Sequence, residues 1–502
     1  MAGSRDLPHS ARTKLLPERV AYRLGLAVPV GVAGVLCFAP FGLFWLAPLV
    51  WFGLFVLLRR AESPREAALT GLAFGFGFFL TGVSWVYVSL SVFGGMPWWL
   101  AGVAAFLFCG VMALFPMLAG GIFKRWAPDA VWRQALFFAA LIAAVDGLRS
   151  WVFTGFPWLA VGYSQAPPSP LAGIAPLLGV HGLSLLVALA GALLLRWKSG
   201  LTFLAVSVAA GFGLQHVQWT EPVGEPISVA LIQGNIPQEM KFRPEAFLRT
   251  LNLYRRLVSE NPAQLTILPE TAVPAFFDQL PQDHAEFLKS AAQQHGGDLV
   301  FGTITGQGDH YWNSAVSLGT SPTQSYSKTH LVPFGEFIPP GFSWFMHLAS
   351  IPMSSFSRGP ETQAPLAVAG QQVAVNICYE DVFGEEIIRS LPHAGILANL
   401  SNTAWFGRSL AQPQHLQIAR MRAVETGRPM LRATNTGMTA VIGTDGSLQA
   451  ILPAFAQGVL RAEVSAYQGM TPYARYGNLA FLVLAGLCLL AGQRWRRQDR
   501  SA

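Results

Sequence analysis

Long apolar segments separated by short polar links dominate the first 220 residues of the chain. Seven such segments precede a polar region and one follows it, at about 21–38, 41–58, 67–91, 97–123, 135–153, 171–195, 200–215 and 477–493. A helix needs about 20 apolar residues to cross the hydrocarbon core of a bilayer. The pattern therefore predicts a polytopic α-helical membrane domain of about eight spans, of which the first and the seventh are short.

The polar region between the seventh and eighth segments has the pattern of a layered α/β domain. Ile227, Val229 and Leu231 alternate as in a half-buried strand, and Pro244–Glu260 has the period of an amphipathic helix. Further strands and helices are predicted at Thr266–Leu268, Asp298–Gly302, Val373–Ile377, Ala394–Leu400, Gln412–Thr426 and Thr439–Ile442. Strands that alternate with helices favour an α/β architecture. We therefore expect a membrane domain at 1–220, an α/β domain at 221–470, and a last span with a basic tail at 471–502.

Basic residues lie at alternate links between the apolar segments and so predict the orientation of the chain. They precede the first segment and follow the second, fourth, sixth and eighth, as in Arg59, Arg60, Lys124, Arg125, Arg196 and Lys198. Arg149 is the one basic residue near a link on the other side. Cytoplasmic links of membrane proteins are enriched in Lys and Arg. We therefore expect both termini in the cytoplasm and the α/β domain outside it.

The composition agrees with a membrane protein and gives no reason to expect a nucleic-acid partner. Of 502 residues, 52% are hydrophobic and only 12% are charged. An average soluble domain has about 25% charged residues. The net charge of +7 comes largely from Lys and Arg that border the apolar segments, so it reflects membrane topology. No cleavable signal sequence is recognisable, and we expect the first apolar segment to remain as a span.

One of the four cysteines is a candidate nucleophile. Cys37, Cys109 and Cys488 lie inside apolar segments and are expected to be small buried side chains, so a disulfide framework is not expected. Cys378 is the only cysteine of the polar region. It follows the predicted strand Val373–Ile377, at a position where loops expose reactive groups on a rigid base. The alternative is a small buried side chain without a chemical role.

Two charged residues of the polar region are candidates to activate this thiol. Glu270 follows the predicted strand Thr266–Leu268, and Lys328 precedes the turn Pro333-Phe334-Gly335-Glu336. A thiol has a reference pKa near 8.5 and needs a base or a cation to become a good nucleophile. Taken alone, Glu270 is equally compatible with a helix N-cap or a solvated carboxylate, and Lys328 with a solvated surface charge.

The order of these motifs resembles that of the nitrilase, or carbon–nitrogen hydrolase, superfamily. A glutamate at a strand end, a lysine before a Pro-Phe-Gly-Glu turn and Cys378-Tyr379-Glu380 follow the order of its Glu-Lys-Cys triad. With the apolar segments, the stretches Thr154–Trp158, Gly162–Gln165 and Gln233–Gln238 make the whole chain similar to the apolipoprotein N-acyltransferase family. The resemblance implies a nitrilase-type α-β-β-α sandwich at about 226–465, on the periplasmic side of a bacterial inner membrane.

The resemblance also implies roles for individual residues. Cys378 would be the nucleophile, Glu270 its base, and Lys328 the cation that stabilises the thiolate and the oxyanion. The residues expected to support the oxyanion or the pocket are Glu336, Tyr379 and Glu380. The residues expected to bind substrate are Phe242, Asn402 and Trp405. Phe242 stands where members of the family often carry a tryptophan.

The implied reaction is acyl transfer between two lipids. An acyl chain from the sn-1 ester of a phospholipid, preferably phosphatidylethanolamine, would form a thioester on Cys378 and pass to the α-amino group of diacylglyceryl-cysteine in an apolipoprotein. No cofactor is expected, and the histidines lack metal-ligand spacing. Two alternatives remain: a membrane-tethered nitrilase that hydrolyses small amides, and a transporter with an external binding domain. The transporter would need symmetric halves with broken spans.

Reporter fusions test the predicted orientation. Fusions at Arg60, Lys124 and Lys198 should report a cytoplasmic location, and a fusion at Thr220 an external one, because basic links stay in the cytoplasm. The measurement is the activity of a reporter that matures only outside the cytoplasm. A cytoplasmic location for the Thr220 fusion would contradict this topology.

Overall fold

The computed structural model describes residues 18–241, 243–341 and 355–493. Phe242, a predicted substrate-binding residue, lies outside these ranges. The helices before the first strand are α1 Glu18–Val35, α2 Ala47–Arg60, α3 Pro64–Gly82, α4 Val86–Val88, α5 Trp98–Trp126, α6 Val131–Arg149, α7 Ala175–Leu193 and α8 Trp197–Gln215. A wider helical turn at Ser89–Phe93 continues α4.

Three helical stretches of the described chain are long and apolar enough to cross a membrane. They are Trp98–Trp126, Val131–Arg149 and Pro170–Gln215. The pair Pro64–Gly82 and Val86–Phe93 adds a fourth if its two parts form one span. Helices occupy all eight predicted apolar segments, and these apolar helices are consistent with a membrane location. The number of eight spans stays a prediction.

The third predicted segment is a bent pair of helices and not one straight helix. α3 ends at Gly82, and Val86–Phe93 leaves it at an angle of 58°. The carbonyl group of Gly82 accepts a hydrogen bond of 3.2 Å from the side chain of Gln414, which belongs to the α/β domain. Irregular backbone at membrane depth is tolerated where protein groups satisfy it. The bend therefore depends on a side chain that lies more than 300 residues further along the chain.

Glycines allow the first helices to approach one another closely. A Cβ atom at Gly71 in α3 would overlap the carbonyl oxygen of Pro116 in α5. A Cβ atom at Gly31 in α1 would likewise overlap the carbonyl oxygen of Phe74. Small residues at such contacts are typical of helix packing in membranes, where backbone proximity supplies dispersion energy.

Exposed aromatic side chains lie near both ends of these helices. At the ends predicted to face outward they are Trp45, Trp98, Trp99, Trp151 and Phe153. At the opposite ends they are Trp126, Trp132 and Trp197. Aromatic side chains at both ends are typical of the two interfaces of a bilayer.

The rest of the described chain forms the α/β domain and the final helices. Its strands are β1 Thr220–Gln233, β2 Leu265–Ile267, β3 Asp298–Gln307, β4 His310–Gly319, β5 Ser325–Ser327, β6 Leu366–Val368, β7 Gln371–Ile377, β8 Ile396–Ser401, β9 Met430–Thr434, β10 Ala440–Ile442, β11 Leu448–Ile451 and β12 Gly458–Gly469. Its helices are α9 Pro244–Ser259, α10 Gln282–Gln294, α11 Gly384–Ile387 and α12 Ala411–Thr426, and α13 Pro472–Tyr476 and α14 Leu479–Gln493 follow.

Two mixed six-stranded sheets pack face to face in the described part of this domain. Their strand orders are β12-β1-β2-β3-β4-β5 and β11-β10-β9-β8-β7-β6. Val229 and Ile267 of the first sheet share one buried core with Val375 and Leu400 of the second. On the outer face of the first sheet, α9 and α10 pack. On the outer face of the second, α12 packs. The predicted α-β-β-α sandwich is therefore confirmed.

Helix α12 belongs to two hydrophobic cores at once. Leu416 and Ala419 pack toward the second sheet. Ile418 and Met421 pack toward the membrane helices, among them α7. Nearly the whole of α12 is buried, including polar side chains such as Gln414 and Glu425. The outer layer of the sandwich is therefore also the surface on which the domain contacts the membrane helices.

A buried ion pair holds the loop that follows α6. Arg149 donates to the carbonyl groups of Phe156 and Trp158, both at 2.6 Å, and pairs with Asp146 at 3.1 Å. Asp146 in turn accepts from the backbone N–H of Val161 at 2.8 Å. One guanidinium and one carboxylate thus fix the loop against the helices, and the fixed loop faces the α/β domain.

Replacement of Arg149 by methionine should destabilise the protein strongly. The change leaves Asp146 buried without its cation, and breaking a buried pair in this way costs about 3–5 kcal/mol. The measurement is the thermal unfolding midpoint in detergent micelles, with hydrogen exchange of residues 150–165 as a local readout. Arg249→Met, at an exposed position of α9, is the control. Equal midpoints for the two variants would contradict the role of the ion pair.

Candidate active site

Cys378 stands at the sharp end of strand β7. The strand ends at Ile377, and Cys378 begins a short helical turn that runs to Val382. Its φ angle is +54°, in the left-handed region that residues with a side chain rarely adopt. Such strain persists only where the surrounding structure holds it, and it is frequent at active sites. The backbone at Cys378 is therefore held by specific contacts, which the neighbouring residues supply.

The carboxylate of Glu380 is the first of these contacts. It accepts hydrogen bonds from the backbone N–H groups of Ile377 at 2.6 Å, Thr329 at 2.6 Å and His330 at 3.0 Å. It also accepts from the hydroxyl of Tyr326 at 3.0 Å. Burial raises its pKa to about 7, although these backbone donors and the cation of Lys328 act against the rise. Glu380 thus joins the turn at Cys378 to the segment that carries Lys328.

Asp381 and Asn399 hold the same turn from the opposite side. The buried carboxylate of Asp381 pairs with Arg432 at 2.8 Å and with His415 at 2.6 Å. The side chain of Asn399 donates to the carbonyl group of Cys378 at 3.1 Å and accepts from Arg432 at 2.7 Å. Buried polar networks of this kind fix one geometry when their members are bonded.

Glu270 lies after β2 and is held by two hydrogen-bond donors and a nearby cation. Its carboxylate accepts from the side chain of Asn313 at 2.8 Å and from the backbone N–H of Asn402 at 2.7 Å. The ammonium group of Lys328 lies 3.5 Å from the same carboxylate. These contacts fix the position of the Glu270 carboxylate beside Lys328.

Lys328 is a fully buried cation between two carboxylates. Its ammonium group donates to Glu336 at 2.8 Å and lies 3.5 Å from Glu270. Burial alone would lower the pKa of Lys328, but the two carboxylates outweigh it and raise the pKa above its usual value. Asn313 bridges the same two carboxylates with hydrogen bonds of 2.8 Å. Lys328 is therefore a fixed positive charge.

The thiol of Cys378 is neutral in this environment. Burial raises its pKa well above the usual range, the charge of Glu270 raises it further, and the cation of Lys328 acts against both. The sulfur forms no hydrogen bond with the residues at 18–241, 243–341 and 355–493. Catalytic hydrogen bonds are often long before substrate binds.

A second buried lysine in this cluster has no counterpart in the sequence predictions. Lys241 donates to the backbone carbonyl group of Glu270 at 2.9 Å. Burial lowers its pKa to about 8, although the charge of Glu270 acts in the opposite direction. The motif Gln233–Gln238 lies just before it, but a lone lysine in sequence is usually a surface charge. Asn313 is also absent from the predictions, because an asparagine inside a strand gives no sign in the sequence of a role at the site.

The other predicted site residues surround this cluster at different depths. Tyr379 points toward the membrane helices, where its hydroxyl donates to the carbonyl group of Gly155 at 3.1 Å. Asn402 is close to the cluster, through its N–H to Glu270 and its side chain to Gln238 at 2.7 Å. Trp405 lies further out, half-buried, and its carbonyl group accepts from Ser89.

This arrangement supplies the parts needed for acyl transfer through a thiol. It places a carboxylate and a buried ammonium group beside a neutral thiol on a strained turn. A carboxylate takes the proton from the thiol, and a preorganised cation stabilises the oxyanion that forms on the substrate. The described residues include no group of three or more His, Cys, Asp or Glu side chains suited to hold a metal ion.

Comparison with known proteins gives consistent matches over the whole chain. Residues 30–193 match the family described as apolipoprotein N-acyltransferase N-terminal domain, and residues 228–473 match carbon-nitrogen hydrolase. A protein named apolipoprotein N-acyltransferase from Nitrosomonas europaea is 50% identical, over 94% of this chain and 97% of the relative. Relatives of the same name from Ralstonia nicotianae and Chromobacterium violaceum are 45% and 44% identical, over 96% and 99% of this chain and 95% and 99% of theirs.

The rate at which Cys378 is alkylated should report the opposite effects of Glu270 and Lys328 on its pKa. Glu270→Gln removes a charge that raises the pKa of Cys378, so alkylation at pH 8–9 should become faster. Lys328→Met removes a charge that lowers this pKa, so alkylation should become slower. At a pH below the pKa, the thiolate fraction falls about tenfold whenever the pKa rises by one. The measurement is the initial rate of iodoacetamide labelling of the peptide that contains Cys378, between pH 7 and 10.

Glu245→Gln, at an exposed position of α9, should leave these rates unchanged and serves as the control. In the unsubstituted protein the rate should still be rising at pH 9. A plateau already reached near pH 7 would mean that the resting site holds a thiolate, and would contradict the neutral thiol.

Proposed function

Since the chain belongs to the apolipoprotein N-acyltransferase family, we propose that it moves an acyl chain from a phospholipid, through a thioester on Cys378, to the N-terminal amine of diacylglyceryl-cysteine in apolipoproteins. The chain is an acyltransferase with a carbon–nitrogen hydrolase fold, and it acts on lipoproteins. The observation that carries the proposed mechanism is the cluster of Glu270, Lys328 and Glu336 beside the thiol.

The first half-reaction acylates the enzyme. Cys378 attacks the carbonyl carbon of the sn-1 ester, preferably of phosphatidylethanolamine, while Glu270 takes the thiol proton. Lys328 stabilises the oxyanion of the tetrahedral intermediate, and the N–H of Tyr379 serves as a second donor. The bond from the carbonyl carbon to the glycerol oxygen then breaks. Glu270 passes its proton to that oxygen, and a lysophospholipid leaves.

The second half-reaction transfers the chain. The neutral α-amine of diacylglyceryl-cysteine attacks the thioester carbon, and Glu270 takes a proton from the nitrogen. The carbon–sulfur bond breaks, and the proton returns to Cys378. Glu336 keeps Lys328 in place through both steps, a role supported by its hydrogen bond of 2.8 Å. Such covalent catalysis divides one difficult transfer into two easier ones.

The location of the site suits substrates that stay in a membrane. The hydroxyl of Tyr379 bonds to Gly155, and its ring packs near Phe156 in the loop after α6. The nucleophile therefore lies next to the segments that we expect at the outer surface of the bilayer. We propose eight spans, with 1–220 and 471–502 as membrane parts and 221–470 as the periplasmic catalytic domain. Asn402, Trp405 and Phe242 are proposed to line the path of the lipids.

A single-turnover experiment separates transfer from hydrolysis. Purified protein given phosphatidylethanolamine alone should release about one equivalent of lysophospholipid, because the thioester waits for an amine. A diacylglyceryl-cysteine peptide with a free amino terminus should start turnover, and an N-acetylated peptide should not. Continuous release of fatty acid without a peptide would favour the alternative, a hydrolase whose thioester is resolved by water.

Intact mass locates the acyl group and tests the triad. Cys378→Ala should carry no adduct, whereas Cys109→Ala, which changes a cysteine buried in α5, should acylate normally. Glu270→Gln should slow acylation by about 10²–10⁴-fold as a lost general base. Lys328→Met should slow it by roughly 10²–10³-fold as a lost oxyanion donor. A normal rate in Glu270→Gln would remove that residue from the mechanism.

A further inference from the structure

A cavity of about 460 Å³ lies where the bent helices α3 and α4 meet the α/β domain. Thr81 and Ser84 line one side of it, and Arg408 and Ser409 line the other. We call it the Arg408 cavity. The hydroxyl groups of Thr81 and Ser84 bond to no other described residue. Polar side chains in a break between apolar helices thus face a cation from a different domain.

The N–H groups of the Arg408 guanidinium form no hydrogen bond with another described residue. Its guanidinium group lies over the ring of Phe455, with 4.3 Å between its central carbon and the ring centroid. No carboxylate in the described part of the chain pairs with it. Stacking occupies the face of a guanidinium and leaves the N–H groups at its edge free. Two such N–H groups match two oxygens of a phosphate, so the chemistry of the cavity favours a phosphate group.

The cavity and the candidate active site share one short segment of chain. The N–H of Asn402 donates to Glu270, and six residues later Arg408 lines the cavity. Six residues span at most roughly 20 Å when fully extended, and Thr403–Phe406 is a compact helical turn. Trp405 between them is bonded to Ser89 of the bent pair. The two sites are therefore close enough to contact one lipid molecule.

We propose that the Arg408 cavity binds the phosphate group of the acyl-donor phospholipid. This inference rests on the proposed function and adds a means of distinguishing the two substrates. Donor and acceptor both carry diacylglycerol chains and both react at Cys378, but only the donor carries a phosphate. The donor therefore binds with its phosphate between Arg408 and the hydroxyls of Thr81 and Ser84, whereas the acceptor leaves the cavity empty.

The same contact acts on the product of the first half-reaction. A lysophospholipid keeps its phosphate after the acyl chain has left, so it stays a ligand of the Arg408 cavity. It should therefore compete with the donor, and competition should weaken when Arg408 is changed.

Separate kinetics of the two half-reactions test the proposal in the full-length protein. In mixed micelles, Arg408→Gln should raise the KM for phosphatidylethanolamine about tenfold or more, as expected for one lost charged hydrogen-bonded contact. The maximal rate of Cys378 acylation should stay within about twofold, and Arg408→Lys should restore part of the affinity. With preformed acyl-enzyme, the KM for a diacylglyceryl-cysteine peptide should not change. Lysophosphatidylethanolamine should inhibit Arg408→Gln more weakly.

Arg249→Gln removes the same charge from an exposed position of α9 and should leave all of these constants unchanged. An unchanged donor KM in Arg408→Gln, with normal acylation, would overturn the inference and leave the proposed function intact. An equal rise in the peptide KM would assign the cavity to the acceptor instead. If Arg408→Gln lowers both the maximal rate and the unfolding midpoint, the role of Arg408 is structural, and the inference is overturned. Failure of the unsubstituted protein to form an acyl adduct would overturn the proposed function and this inference with it.

Discussion

The geometry of the site depends on the hydrogen bonds that the buried carboxylate of Glu380 accepts. Its donors come from two different sheets, because Thr329 and His330 follow β5 and Ile377 ends β7. A buried carboxylate without such partners would cost several kcal/mol, so the two sheets can pack in only one relative position. That position brings Lys328, which follows β5 of the first sheet, close to the thiol of Cys378, which follows β7 of the second. The relative position of Lys328 and Cys378 is thus fixed by the hydrogen bonds of a third residue.

A second set of contacts fixes this site relative to the membrane helices. Gln414 of α12 accepts from the indole N–H of Trp158 at 2.7 Å and donates to Gly82 at the helix break. Glu425, on the same helix, accepts from the backbone N–H of Val180 in α7 at 2.6 Å. These hydrogen bonds are buried within an apolar interface. Buried polar groups need their partners, and these partners meet only when α12 and the membrane helices are aligned in one way. These contacts therefore hold the domain in one position relative to the membrane helices.

The local elements of this protein follow from its sequence, whereas several contacts of the site do not. The helix predicted at Pro244–Glu260 is found at Pro244–Ser259, and the strand that leads to Cys378 ends where it was predicted. Both have strong periodicity, which depends only on near neighbours. Lys241 and the bend after Gly82 depend on Glu270 and Gln414, which lie 29 and 332 residues away. Periodicity carries no information about such distant partners, and a motif resemblance names residues of the site without the contacts that hold them.

The pairing of β1 with β12 has a consequence for how the protein is made. β1 begins just after α8, and β12 ends just before the last helices, with Thr220 opposite Gly469. The strand β12, which pairs with the start of the domain, is thus the last of the described strands to be synthesised. The first sheet cannot be completed until nearly all of the described chain has been synthesised. A nascent chain therefore cannot hold the complete cluster of Glu270, Lys328 and Cys378 between two finished sheets until its synthesis is nearly complete.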